Sequence, residues 1–404
     1  MPDQSLTGIT ILDLSSFVAG PYATKLMAMM GARVIKIEPP ARGDVSRWTG
    51  PFLNDEPHPE RSGLFAHLNT GKQSVALDIT KPVGADLCRH IARRCDAVVE
   101  SFSPGTLSDL GLGYEQLAEA NPAIVVTSLT PYGQTGLNRH LPATTLTMFA
   151  MGGQMSMTGE PDRAPLRPYG YQADYQLGLN GFAATLTAIY GAQLSGIGQH
   201  VDIAGMEIQA ATLEGAGPRA AYVGDFVKRR GNHGMALSGV YPCKDGYIGI
   251  LAVPRNWPAI VALLGKPELM TDPRFTTGAK RRANDDALQA IMYQWFMDRT
   301  KDQIFEIAGR TKAPISPILT VAELFDSPQL KHRRFFRQLD HPALGRQWYP
   351  GPPFVMSETP LSAAPAPLLG QHTAEVLAEL AGLAEGDLAP LASSGVIQVR
   401  EAVA

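Results

Sequence analysis

The sequence predicts an α/β fold with a parallel sheet, and three observations carry that prediction. Short β-rich apolar runs alternate with helical stretches through the first half of the chain. After about residue 222 this alternation gives way to a hairpin signal and mixed-charge helices. The chain has 404 residues, enough for a sizeable core and two domains.

The first strand is "ITILDL" (9–14), followed by the helical "YATKLMAMMGA" (22–32) and the strand "RVIKIE" (33–38). "SVALDI" (74–79), "GADLCRHIARRC" (84–95) and "DAVVES" (96–101) repeat the order, and "AIVVTSLT" (123–130) adds a strand. Strands separated by single helices make βαβ units, whose right-handed crossovers yield a parallel, doubly wound sheet. From 175 to 194, Leu179, Phe182, Ala183, Leu186, Ile189 and Tyr190 follow i, i+3, i+4 spacing with few strongly polar positions opposite, so a helix buried on most sides is expected. "QHVDIAGM" (199–206) reads as another strand. "SGVYPCKDGYIGILAV" (238–253) reads as a hairpin turning at Lys244-Asp245-Gly246. Helical patterns cover 281–300 and 301–311, extended connections 314–330 and 349–370, and a last helix 372–383.

The formal net charge is −3, and the longest basic run, "KHRRFFR" (331–337), reads as a solvated helix end. Neither a nucleic-acid surface nor a polybasic membrane patch is therefore expected. No apolar run reaches the ~18–20 residues that span a bilayer. Cys88, Cys95 and Cys243 form no C-x-x-C pair, which fits a reducing compartment, and a cytoplasmic protein is expected. The nine histidines are scattered without metal-ligand spacing, so no metal is expected. "DLSSFVAGPYATK" after the first strand lacks G-x-G-x-x-G, and the chain has no Walker A loop, G-x-S-x-G elbow or H-E-x-x-H.

What remains is a carboxylate, or residues scattered along the chain and gathered by the fold. Asp174 of "YGYQADYQLG" is the only Asp, Glu, Lys or Arg between Pro168 and Val201. As a helix N-cap it would stabilise by about 1 kcal/mol. Burying it unpaired would cost several kcal/mol, so it must meet solvent or a cleft, and a cleft wall is where a covalent nucleophile belongs. Gly20-Pro21 is either turn punctuation or a helix start whose N–H groups meet an anion. "GNHGMALSGVY" (231–241) is either a plain loop or a lid with glycine hinges.

The chain resembles the class III (family III) CoA-transferases, the group of formyl-CoA transferase, carnitine-type CoA-transferases and α-methylacyl-CoA racemases. The resemblance spans nearly the whole chain. It lies in "ILDLSSFVAGPYATKLMAMMGARVIKIEPPARGD" (11–44), "HLNTGKQSVALDITKPVG" (67–84) and "VVESFSPGTLSDLGLGYEQLAEANPAIVVTSLTPYGQTG" (98–136). It continues in "MSMTGEPDRAPLRP" (155–168), "GIGQHVDIAGME" (196–207) and "GVYPCKDGYIGI" (239–250). It implies Asp174 as nucleophile, forming an aspartyl-acyl anhydride and then an aspartyl-CoA thioester. Coenzyme A enters as acyl-CoA co-substrate, with contacts at Val18, Ala19, Leu77, Ser101 and Phe102. The implied fold is a Rossmann-like large domain with a parallel sheet plus a smaller α+β domain, in an interlocked, ring-threaded homodimer. The large domain would then comprise 1–222 and a return segment, 331–404, with 223–330 as the small domain.

Two departures bear on chemistry. Where many members read [GA]-[FYH]-[DE], this chain has Ala143-Thr144-Thr145, so the histidine of the racemases is absent and Thr145 stands where several transferases have an acid. Thr144 cannot abstract a proton at neutral pH, which disfavours racemisation. The glycine-rich segment reads Asn232-His233-Gly234-Met235, which offers His233 either to a pocket or to the surface. The expected activity is CoA transfer between carboxylic acids. The alternatives are an acyl-CoA racemase or epimerase using His140 or His233 with Asp174, and a weakly active CoA-binding subunit.

Overall fold

In the computed structural model, which describes residues 4–232 and 236–400, the first half resolves into alternating strands and helices. They run β1 (Thr10–Asp13), α1 (Ala19–Met29), β2 (Arg33–Glu38), α2 (Gly63–Leu68), β3 (Gln73–Leu77), α3 (Pro82–Ala92) and β4 (Ala97–Glu100). Next come α4 (Thr106–Asp109), α5 (Tyr114–Ala120), β5 (Val125–Thr130), α6 (Thr145–Met151), α7 (Gln172–Ser195), β6 (His200–Ala204) and α8 (Gly205–Ala211). The middle holds α9 (Ala216–Val223), β7 (Ser238–Cys243), β8 (Gly246–Leu251), α10 (Trp257–Leu264), α11 (Gly278–Ala283), α12 (Asp285–Met297), α13 (Lys301–Thr311), β9 (Ile315–Pro317), α14 (Val321–Asp326) and α15 (Pro328–His332). The chain closes with β10 (Phe336–His341), β11 (Gly345–Pro350), α16 (Thr373–Ala381), α17 (Glu385–Ser393) and β12 (Ile397–Gln398).

Contacts divide the chain into two units, one of residues 1–154, 168–214 and 331–404, the other of 155–167 and 215–330. The second unit thus starts at 215 rather than 223, since α9 belongs to it, and it also takes the segment before α7. In the first unit seven strands run in the order β12-β3-β2-β1-β4-β5-β6. β1 to β6 are parallel, and β12 pairs antiparallel with β3. One face packs Leu12, Ile35 and Val75 against Leu87 and Ile91 of α3 and Leu377 of α16. The other packs Ile11, Val34 and Val99 against Ala23 and Met27 of α1 and Leu177 of α7. Burial on both faces explains why these strands read as continuous apolar runs.

α7 is seated by small residues. A Cβ on Gly178 would lie 2.4 Å from the Ala19 carbonyl oxygen, and one on Gly181 2.7 Å from the Leu129 side chain. Burial on most sides, expected from its composition, is not what the chain achieves. Leu177, Thr185, Ala188 and Ile189 point inward, whereas Leu179, Tyr190 and Leu194 are 51%, 65% and 72% exposed. Within one chain, sheet and helices cover only one side of α7, and its apolar composition continues onto the other.

The second unit has its own core, with Tyr241, Ile248, Trp257, Phe275 and Phe296 packed around the three-stranded sheet β7-β8-β9. The expected hairpin forms, with Cys243 opposite Gly246. The helical stretch 281–300 splits at Asn284, which ends α11 and begins α12. The segment 314–330, expected to be extended, contains α14, started by a Thr320–Glu323 capping box, and α15. The basic run is divided between α15 and β10. Among the described residues no helix is long and apolar enough to cross a membrane.

Because the α1–α7 contact leaves no room for a methyl group, Gly178→Ala should lower unfolding stability by about 1–3 kcal/mol in urea denaturation. An unchanged midpoint would refute this packing.

Candidate active site

Between β1 and β4 the sheet's connections diverge, and in open α/β sheets ligands bind outside the carboxyl ends of the strands at that place. A cavity of about 510 Å³ lies there. Leu14, Ile37, Leu77 and Phe102, at the ends of β1 to β4, form apolar walls, with Arg42 and the half-exposed Trp48 on the loop after β2. Of the residues expected to meet CoA, Leu77 and Phe102 lie in this wall. The Ser101 hydroxyl accepts a hydrogen bond from the backbone N–H of Ser16, another wall residue, at 3.0 Å. Val18 and Ala19 are buried at the start of α1, outside the wall. Gly20-Pro21 lies inside the first turns of α1, buried beneath Ser15, rather than in a turn or an open helix mouth.

An ionic network underlies the cavity. Lys72 Nζ donates to Asp13 Oδ2 (2.9 Å), Asn69 Oδ1 (2.8 Å) and the Pro21 carbonyl (2.9 Å). Lys36 Nζ sits 2.9 Å from Asp44 Oδ2 and donates to the Ser15 carbonyl at 2.8 Å. Arg47 makes a two-pronged pair with Glu38 (2.6 and 2.9 Å), reaches Glu60 at 2.7 Å and lies over the Phe65 ring. Burial works against the charge of Asp13, yet Lys36 and Lys72 hold its carboxyl well below the usual range. Burial and its lysine neighbour push Lys72 down to about 8, despite Asp13.

The network also shapes the turn into α1. Asp44 Oδ1 accepts the N–H of Phe17 at 3.2 Å, and Phe17 adopts φ = 70°, a left-handed conformation that costs a non-glycine residue free energy. Its ring then meets Tyr171 edge-on, with centroids 4.9 Å apart. Tyr171 is the N-cap of α7 and makes no side-chain cap. The capping role considered for Asp174 is therefore not realised, because Asp174 lies two residues inside the first turn. Asp174 Oδ2 is buried with no hydrogen-bond partner among the described residues. Burial raises the carboxyl above its ordinary value, and the hydroxyl of Thr145, from the first turn of α6, pulls it partly back. The result is a desolvated carboxylate with one bare oxygen, an arrangement suited to attack on an electrophilic carbon.

The model of CoA-transferase family III matches residues 6–373. The chain belongs to CoA-transferase family III. It is 34% identical to succinyl-CoA:glutarate CoA-transferase of Mus musculus, over 98% of this chain and 91% of that one. It is 33% identical to succinyl-CoA–D-citramalate CoA-transferase of Chloroflexus aurantiacus, over 98% and 99%. A crystal structure of a CAIB/BAIF family protein from Brucella suis superposes with a TM-score of 0.83 at 31% identity, covering 94% of this chain and all of that one.

Within this family III chain the other candidate residues fare differently. His140 is exposed and accepts a hydrogen bond from Arg139 at 2.9 Å. His233 and Gly234-Met235 of the expected lid lie outside the described residues. Among the described residues no group of three or more His, Cys, Asp or Glu is placed to hold a metal ion. Two residues escaped the sequence reading. Lys25 is 3% exposed, and its Nζ lies 3.2 Å from His67 Nδ1. Burial and the Lys72 charge push Lys25 down to about 7. A signal was available, since Lys25 is the only charged residue of α1.

Glu38→Gln would leave Arg47 buried with its two-pronged partner broken, at an expected cost of about 3–5 kcal/mol in chemical denaturation. A loss under 1 kcal/mol would mean that the network does not support the cavity.

Proposed function

We propose that this CoA-transferase moves CoA from an acyl-CoA to a carboxylic acid through covalent intermediates on Asp174. The observation that carries the reading is the desolvated Asp174 carboxylate with its bare Oδ2 at the head of α7. Asp174 attacks the thioester carbonyl, and the carbon–sulfur bond breaks to give a mixed anhydride and CoA thiolate. The thiolate attacks the aspartyl carbonyl of the anhydride, releasing the donor carboxylate and leaving an aspartyl-CoA thioester. An acceptor carboxylate then attacks that carbonyl and expels the thiolate, which finally attacks the acceptor's acyl carbon and frees Asp174. Protons need not move at any step, so the chain's task is to orient groups, stabilise oxyanions and keep water from the anhydride.

The cavity at the switch point suits the carrier. Its apolar walls offer contact for an adenine ring and a pantetheine arm, and Arg42 offers charge for phosphate. Val18, Ala19, Leu77, Ser101 and Phe102 are assigned to CoA on this reading. Racemisation is less well served, because Asp174's polar neighbour is the Thr145 hydroxyl rather than an imidazole. Deuterium from solvent should stay out of the substrate α-carbon during turnover, and wash-in would favour the epimerase alternative. We further propose an interlocked homodimer, in which a second copy covers the exposed apolar face of α7. Light scattering should then give twice the chain mass of 43.4 kDa.

Asp174→Ala should abolish exchange of label between acyl-CoA and acid, and hydroxylamine should trap Asp174 as a hydroxamate only in the wild type given acyl-CoA. Exchange at an undiminished rate in the variant would end this mechanism. The attacking form is the charged carboxylate, so kcat/KM for acyl-CoA should fall as pH drops, with a midpoint above the ~3.9 of an ordinary aspartate. Thr145→Val removes the contact that lowers the Asp174 pKa and should move that midpoint higher still.

A further inference from the structure

A second cavity, of about 240 Å³, lies between α2 and the β10–β11 hairpin and shares no residue with the first. Phe52, Trp348 and Pro350 give it flat apolar walls, while Arg61, His67 and Tyr349 bring polar groups. Two features of this lining are unresolved within the chain.

Tyr349 is 5% exposed, and its hydroxyl has no hydrogen-bond partner among the described residues. A buried donor left unpaired is costly unless something outside the chain accepts from it. Behind His67 lies Lys25, whose amine meets Nδ1 of the ring and pairs with no carboxylate among the described residues. An amine donates to that nitrogen, so the hydrogen-bond network assigns the ring proton to Nε2, making His67 a second donor. Burial and the Lys25 charge keep the ring neutral, down to about 3. The nearby carboxylates are already engaged: Glu56 by Arg61, and Glu60 by Arg47 and Arg400. The lining therefore holds no carboxylate and includes two unspent donors, the Tyr349 hydroxyl and the His67 imidazole, among flat apolar residues.

We propose that this cavity receives the carboxylic acid that takes up CoA, selecting a flat apolar body whose carboxylate meets the Tyr349 hydroxyl and the His67 imidazole. The role as acceptor site rests on the Asp174 reading. The His67 ring lies 6.4 Å from that of Tyr175, the residue next to Asp174. The acid preferred here then differs from the dicarboxylates for which the relatives above are named, since the one cation in the wall, Arg61, is already paired with Glu56.

Benzoate, with glutarate as the contrasting acid, tests this in the full-length enzyme through tryptophan fluorescence. Benzoate should quench saturably and more tightly than glutarate, and Trp348→Phe should remove the signal. Tyr349→Phe and Lys25→Met, both close in shape to the native residues, should each weaken benzoate about tenfold, the loss expected for one hydrogen bond to a charged group. In turnover, Tyr349→Phe should raise KM for the acid about tenfold and leave KM for acyl-CoA unmoved. Benzoate binding by the Asp174→Ala enzyme, which cannot turn over, supports the cavity independently of the covalent mechanism. Binding indifferent to both substitutions, tighter binding of glutarate, or a parallel rise of both KM values would overturn the proposal.

Discussion

Asp13, Lys36, Lys72 and Asp44 form a buried knot of charge at the carboxyl ends of β1 and β2, and the rest of the site is arranged around it. Ions so deep in a protein are tolerated only when each is paired and hydrogen-bonded on several sides. That requirement fixes where the chain can go. Asp44 meets Lys36 through Oδ2 and Ser46 through Oδ1, which folds the loop after β2 back over the sheet to form one cavity wall. The same carboxylate draws the Phe17 N–H into a left-handed turn, which presents the Phe17 ring to Tyr171 at the head of α7. The cavity at the switch point and the head of α7 are thus tied to one electrostatic centre.

Asp174 is the opposite case. The network pairs every ion, whereas the carboxylate at the head of α7 keeps one oxygen bare and has a hydroxyl rather than a cation beside it. Stability favours the first arrangement and reactivity the second. Thr145 moderates the contrast. An acid in its place would repel Asp174 and raise its pKa further, whereas the neutral Thr145 hydroxyl lowers it.

The parallel sheet was legible because its strands are buried on both faces and read as unbroken apolar runs, as in "RVIKIE", which is β2 residue for residue. Asp174 stood out because it is the only charged residue in a long apolar stretch. Other features had no local signature. The left-handed turn occurs at a phenylalanine, where sequence gives no reason to expect one. β12 is two residues long and exists only because β3 offers an unpaired edge. α7 read as buried on most sides because an exposed apolar face looks, in sequence, like a covered one.

That short last strand has a consequence for synthesis. Ile397 pairs with Leu77, the Pro367 carbonyl accepts from Arg47, and Arg400 reaches Glu60. About 320 residues separate the two strands of the outermost pair, so at ~5–20 residues per second a ribosome needs roughly 16–64 s to bring them together. During that interval the nascent sheet has an open edge and Arg47 lacks one acceptor. The intervening unit, with a core of its own, is free to fold first, and the waiting edge stays open until Ile397 and Gln398 reach it.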